Sequence, residues 1–266
     1  MKIPNGSAVL ATEIVGDGPD VLLLHAGVAD RRAWRPLVER LAATNRCLSF
    51  DARGHGRTTY TPEPFSRVDD AIAVLDALDA STAVVIGNSM GGRTALDLAL
   101  THPERVAALV LIAPAISGAP EGEDSPEVQA IDEQMQAAEA SGDLDELNRL
   151  EARFWLDGIN GGSEGRVDGA TRELFLDMNG RALAAEPPGE ENSSTKAWER
   201  LEELDLPTLV VVGELDYPVS TDHALAAAER IPGARVVRLP DAAHLPVLEE
   251  NDACLRAVAD FVADHT

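Results

Sequence analysis

Short apolar runs recur along this 266-residue chain, and most are followed by a segment of helical periodicity. That alternation is the strongest constraint on the fold, because parallel strands need a crossover and a helix covers the sheet face that the strand would leave wet. Strands are expected at 21–24, 46–50, 84–88, 106–112, 208–212 and 235–239. Helices are expected at 34–43, 68–78, 93–100, 221–230 and 254–262, the second with apolar Val68, Ile72 and Leu75 on one face. Residues 6–15 are expected to add an antiparallel edge strand. Aromatic residues are only 4% of the chain, so Ala, Val and Leu must fill most of the core.

The interval 115–195 breaks the rhythm. It is read as three helices near 125–140, 143–156 and 169–185, with a joint at 186–191 that contains Pro187, Pro188 and Gly189. An insertion between two strands at the carboxyl end of a parallel sheet lies over the crevice where such folds bind ligands. The expected organisation is therefore a core of 1–114 and 196–266 with a helical cap at 115–195, the alternative being a surface ornament. The interval carries 19 acidic and 5 basic residues, and the whole chain a net charge of −24. Such a surface repels phosphate backbones and anionic lipid, which argues against nucleic-acid and membrane partners and otherwise serves solubility.

No apolar run is long enough to span a membrane, and the N-terminal residues lack a secretory apolar stretch, so a cytoplasmic protein is expected. Cys47 and Cys254 lie in a strand and a helix, where small buried thiols are usual, and neither has metal-ligand spacing to a second Cys or His. No zinc site is expected.

Chemistry enters at 84–92, where Val-Val-Ile runs into Gly87-Asn88-Ser89-Met90-Gly91-Gly92. A serine on a sharp strand-to-helix turn projects its Oγ above the sheet, which makes Ser89 the candidate nucleophile; a serine cap in a glycine-rich turn is the plainer alternative. A serine hydroxyl needs a base, and the base needs a third group to orient it. Of the six histidines, His244 follows the last strand and opens on the same sheet face as Ser89. The third member is expected at the end of strand 208–212, where Asp216 is the candidate and Glu214 its nearest rival. Donors for a developing oxyanion are expected from the backbone N–H of Met90 and of Gly27, with Val28 as the alternative to Gly27.

Five segments, LLLHAGVADRRAW (22–34), DARGHGRT (51–58), GNSMGG (87–92), GELDYP (213–218) and AAHLPVLEE (242–250), together resemble the α/β-hydrolase superfamily. The resemblance spans nearly the whole chain. It implies an eight-stranded, mostly parallel sheet flanked by helices, an inserted helical cap, a Ser89–His244–Asp216 triad and no cofactor. Serine at position 89 argues against the aspartate-nucleophile members, the haloalkane dehalogenases and epoxide hydrolases. GNSMGG is similar to the carbon–carbon hydrolases of dienoic ring-cleavage products. Those usually carry Gly-Pro-Gly at the oxyanion segment and an aromatic residue after the base, where this chain has Ala26-Gly27-Val28 and Leu245-Pro246. The surroundings of His244 are closer to 3-oxoadipate-type enol-lactonases and small carboxylesterases. His25-Ala26 departs from the usual His-Gly at the oxyanion loop.

The function expected is hydrolysis of small-molecule carboxylic esters or lactones through an acyl-enzyme on Ser89, with carbon–carbon hydrolysis or slow-turnover ligand binding as alternatives. Val28, Phe154, Trp155 and Leu245 are candidate substrate contacts, and Phe175 and Trp198 are further aromatics available to a pocket or to cap packing. The overall charge opposes a strongly anionic substrate, with Arg93 and Arg153 placed to offset it locally. Oligomeric state is not encoded in any of these features.

Overall fold

The computed structural model describes residues 1–192 and 195–266. Eight strands form one sheet: β1 (Lys2–Asn5), β2 (Ala8–Val15), β3 (Asp20–Leu24), β4 (Arg46–Phe50), β5 (Ala83–Asn88), β6 (Val106–Ile112), β7 (Thr208–Gly213) and β8 (Arg235–Leu239). Their spatial order is β1-β2-β4-β3-β5-β6-β7-β8. β1 and β2 pair antiparallel, β2 pairs antiparallel with β4, and the remaining pairs are parallel. The expected edge strand at 6–15 is thus the second strand in, since a turn at Gly6 (φ +55°) folds Lys2–Asn5 back to form the edge.

Side chains of the central strands alternate between two apolar layers, as the two-residue period of a strand requires. Leu22, Val85 and Val210 face one layer; Val21, Leu23, Val84, Ile86 and Val211 face the other. The first layer packs under α2 (Arg67–Ala77), α3 (Met90–Thr101) and α7 (Pro218–Arg230), the second under α1 (Arg35–Leu41) and α8 (Asp252–Ala263). Each fully buried Leu or Val contributes roughly 1.5–3 kcal/mol of transfer free energy. This doubly covered sheet holds the carboxyl ends of β3 to β8 in fixed relation.

Two helices differ from expectation. The single helix at 34–43 is a 3₁₀ turn, Arg31–Trp34, followed by α1, because Asp30 caps the Arg32 N–H and Pro36 restarts the helix. In α2 the buried face is Asp70, Ala71, Val74 and Leu75, with Val68 and Ile72 only half-buried. The face is turned by Asp70, which is buried against the Arg53 guanidinium (Nε–Oδ2 3.0 Å) and accepts from Asn5 Nδ2.

Between β6 and β7 lie α4 (Pro126–Ser141), α5 (Leu144–Glu151), a π-helical turn (Ala152–Gly158) and α6 (Gly169–Leu183), with a 3₁₀ stretch at Ala197–Glu203 leading back into the sheet. α4, α5 and the π turn bury Val128, Ile131, Leu147, Leu150 and Phe154 against one another. The π turn and α6 bring Ala152, Leu156, Phe175 and Met178 onto Ala26, Ala29, Ala33, Leu245 and Leu248, in and beside the loops after β3 and β8. Arg166 adds polar ties from the insert to the Glu249 carboxylate (2.6 Å) and the Asp241 carbonyl. No helix among the described residues is long and apolar enough to cross a membrane.

Candidate active site

β5 ends at Asn88 and α3 begins at Met90, so Ser89 alone makes the corner. Its φ of +53° and ψ of −113° lie where L-residues rarely sit, a cost of order 1–3 kcal/mol. Gly87 and Gly91 make the corner sterically feasible. A Cβ on Gly87 would stand 2.2 Å from the Gly91 carbonyl oxygen, and one on Gly91 would stand 1.9 Å from that of Leu24. The same does not hold for Gly27, where a Cβ would meet Met90 at an ordinary 3.9 Å. Close backbone approach is therefore the reason for glycine in the elbow and not in the β3 loop.

His244 lies in the loop after β8, 3% exposed, and its Nδ1 stands 2.8 Å and 3.0 Å from the two carboxylate oxygens of Asp216. Asp216 is 1% exposed, and its Oδ1 also accepts the Tyr217 N–H at 2.6 Å. The loops that carry them are joined by Leu215 N–H to the Ala242 carbonyl (3.0 Å). Glu214 instead points to Arg238, half-exposed, and makes no contact with His244. Asn88 Nδ2 donates to the His244 carbonyl (3.1 Å) and to that of Ile112 (3.0 Å), linking the serine strand to the histidine loop.

Two clefts meet at Ser89. One, open to solvent with ≈ 730 Å³ of empty space, is bordered by Gly27, Val28, Met90, Arg67, Arg93 and Glu151 among others; the second, likewise open with ≈ 1050 Å³, is bordered by Ile116, Asp124, Tyr217 and His223 among others. Ser89, Ala115, Trp155 and His244 border both. Trp155 is the largest of these shared side chains. Its ring lies 4.5 Å from the His244 imidazole (centroid to centroid, tilted by 43°), and its carbonyl accepts the His244 N–H at 3.3 Å. It stands on the π turn, a helix form often found at functional sites.

Of the candidate substrate contacts, Val28 and Trp155 line the smaller cleft, whereas Phe154 and Leu245 stand behind the walls. Phe154 is buried against Trp155 and Tyr217. Leu245 is buried with Ala26, Leu156 and Phe175. Trp198 packs on His223 and Arg230 and lines neither cleft. Arg153 is likewise turned away, its Nη1 donating to the Gly158 carbonyl. Arg93 does line the smaller cleft, and beside it stands Arg67, which sequence reading missed. Its position at the start of a helix, following a strand end on the same sheet face, was the available signal.

Arg67 is electrostatically uncomfortable, whereas Arg93 Nε faces the Asp97 carboxylate at 4.0 Å. Burial lowers the pKa of Arg67, and the neighbouring Arg93 charge lowers it further, against a partial offset from Glu191 at 3.5 Å. Among the described residues, Arg67 Nη1 and Arg93 Nε are buried with no hydrogen-bond partner. Glu151 borders the same cleft, its carboxyl pKa raised by burial and partly offset by a hydrogen bond from Asn179. No group of three or more His, Cys, Asp or Glu side chains placed to hold a metal occurs among the described residues.

A model described as the alpha/beta hydrolase family matches residues 21–257. A pimeloyl-(acyl-carrier protein) methyl ester esterase from Stenotrophomonas maltophilia is 32% identical over 257 residues, 94% of this chain and 95% of the relative. A 2-hydroxymuconate semialdehyde hydrolase from a Pseudomonas species is 27% identical, over 99% and 98% of the two chains. Among solved structures, Est816, described as an N-acyl homoserine lactone degrading enzyme, superposes with a TM-score of 0.76 at 26% identity, covering 98% of this chain and 100% of its own.

Proposed function

This chain belongs to the alpha/beta hydrolase family, and from that premise we propose that it is a serine hydrolase of carboxylic esters or lactones. One observation carries the reading. Ser89, on a strained corner, borders the same clefts as an imidazole that is buried against a buried carboxylate. In this reading His244 takes the Ser89 proton as Oγ attacks the carbonyl carbon, and the Met90 and Gly27 N–H groups receive the charge that develops on oxygen. The His244 proton then goes to the leaving alkoxide. Water, deprotonated by the same imidazole, cleaves the acyl-enzyme and regenerates Ser89. Asp216 holds the proton of His244 on Nδ1 and stabilises the imidazolium that forms in each step.

The insert at 115–195 acts as the cap, with Trp155 separating the two sides of the scissile bond. Because the oxyanion donors and the two arginines border the smaller cleft, that cleft takes the acyl group, and the paired guanidiniums favour an acyl chain that ends in a carboxylate. The larger cleft takes the leaving group. The similarity to a 2-hydroxymuconate semialdehyde hydrolase keeps carbon–carbon hydrolysis as the second reading. A panel of aryl esters, lactones and vinylogous diketones, run with Ser89→Ala as control and with a fluorophosphonate probe for the serine, separates them. Stoichiometric labelling with ester or lactone turnover supports the proposal; turnover that survives Ser89→Ala refutes it.

A further inference from the structure

His55 lies in the Gly54-His55-Gly56 turn after β4 and takes no part in the chemistry proposed above. The turn is built around Asp51, which accepts the N–H groups of Arg31 (3.0 Å) and Arg57 (2.8 Å). From there the His55 ring crosses to the β3 loop, where its Nε2 stands 2.8 Å from the Gly27 carbonyl oxygen. Its Nδ1 faces the Arg53 carbonyl at 3.0 Å. A carbonyl oxygen only accepts, so whichever ring nitrogen makes its bond must carry a proton. Burial, the largest influence, lowers the pKa of His55, which leaves a neutral ring one proton for two carbonyls.

A second imidazole stands 4.9 Å away. His25 Nε2 accepts the Ala52 N–H at 2.9 Å, which fixes the proton on Nδ1, and Nδ1 donates to the Ala26 carbonyl at 2.8 Å. Burial holds His25 neutral, its pKa lowered to about 3. The two carbonyls are significant for what lies on the opposite edge of each peptide. The Ala26–Gly27 peptide carries the Gly27 N–H, and the Gly27–Val28 peptide carries the Val28 N–H. The first is the N–H expected to face the oxyanion from this loop, and the second is its alternative. Gly27 has no side chain to restrict its φ and ψ. Its conformation is set by the turn bond from the Ala29 N–H to the Ala26 carbonyl (3.0 Å) and by what grips the peptides on either side.

We propose that His55, donating from Nε2 to the Gly27 carbonyl, is a positioning residue that, together with His25 on the Ala26 carbonyl, locks both peptide planes around Gly27 and so aims the oxyanion donor at the Ser89 adduct. The inference rests on the serine-hydrolase reading. It also accounts for a loop whose glycine is not sterically required: the loop is held by hydrogen bonds to its outward carbonyls.

The test is His55→Leu beside His55→Gln, whose amide nitrogen reaches the Nε2 position. Removing an oxyanion donor outright costs about 10²- to 10³-fold in kcat, so loosening one is expected to cost roughly 10- to 100-fold. The Leu variant is expected to lose that factor in kcat on an aryl ester with KM nearly unchanged. Its affinity for a trifluoromethyl ketone, which forms the tetrahedral adduct, is expected to fall in parallel, and Gln is expected to restore most of both. Wild-type kcat in His55→Leu, or Gln as impaired as Leu, overturns the inference. Should His55→Leu not fold, imidazole ¹⁵N spectra of the wild-type protein decide it: a protonated Nε2 supports the clamp, a bare Nε2 overturns it. Fluorophosphonate labelling of Ser89 keeps the two proposals apart. An unlabelled, inactive wild type removes the hydrolase reading, whereas a labelled enzyme indifferent to His55 removes only this one.

Discussion

Replacing Asp216 by Asn changes one atom at the most buried point of the proposed site and tests what the carboxylate does for His244. Asp216 Oδ1 accepts the Tyr217 N–H at 2.6 Å, and Oδ2 lies 2.8 Å from His244 Nδ1. In Asp216→Asn the Tyr217 N–H keeps the amide oxygen on its side. The amide NH₂ then faces Nδ1, which must accept where it previously donated. The ring proton moves to Nε2, the nitrogen otherwise left to deprotonate Ser89, and the base is blocked by its own hydrogen. A wrong tautomer of this kind costs about 10⁴-fold in kcat, and at 1.36 kcal/mol per decade that is roughly 5 kcal/mol of transition-state stabilisation. The fold should be preserved, because the amide is isosteric and keeps the Tyr217 bond. Initial rates on p-nitrophenyl butyrate, beside thermal unfolding of both proteins, make the measurement. A kcat within tenfold of wild type in a folded Asp216→Asn protein would show that the carboxylate does not set the tautomer.

Other expectations follow from neighbouring features. Ser89→Ala should abolish turnover of any accepted ester, a loss of about 10⁶-fold, while Ser89→Gly, equally inactive, should raise the melting temperature above that of Ser89→Ala because the φ of +53° no longer opposes a side chain; equal melting temperatures would remove the strain from the account. Arg93→Gln and Arg67→Gln should each lower kcat/KM for a hemi-ester of a dicarboxylic acid by roughly tenfold or more, with little change for the matching alkyl ester; a parallel loss on both substrates would show a structural role only. Asp70→Ala should destabilise the fold by about 3–5 kcal/mol in urea titration, since it strips the buried Arg53 guanidinium of its closest buried partner; a change under 1 kcal/mol would refute that. Burial pushes the Cys47 thiol up to about 11 and that of Cys254 up to about 12, so the folded state favours the protonated forms and stability should fall as pH rises above the ordinary thiol value of 9.0. Ellman's reagent should find no reactive thiol in the native protein; rapid reaction of both would contradict this.

The strands were the most legible part of the chain. The expected runs at 46–50, 106–112 and 235–239 coincide with β4, β6 and β8, since β-rich runs bounded by turn residues leave little freedom in where a strand stops. β1 escaped notice because Lys2–Asn5 is four residues long and has only Ile3 fully buried. The π turn escaped because its composition does not distinguish it from an ordinary helix end. At the site, chain order and the rule that loops gather at the carboxyl ends of parallel strands pointed to Ser89, Asp216 and His244; in the structure His244 meets Asp216 and borders the same clefts as Ser89. Neither rule says which side chain turns inward. Arg67 reaching the cleft, Phe154 retreating behind it and His55 crossing to Gly27 each depend on contacts with distant segments, and no local pattern reports those.

The strained corner connects these observations. Ser89 keeps its unfavourable backbone only because both ends of its peptide are held: its N–H donates to the Ile112 carbonyl, and its carbonyl accepts from Arg93 and Ala115, each at 3.0 Å. Asn88 adds two further bonds from the adjacent residue, one of them to the His244 loop. At about 1 kcal/mol net apiece, five such bonds exceed the strain they oppose. Ala113, at the end of β6, shares the burden with a φ of +41°. The elbow is thus anchored mainly from β6 and the His244 loop, while the loop after β3 is anchored from the β4 turn through His55. Two independent sets of contacts meet at one serine, and a perturbation of either should move kcat well before it moves the fold.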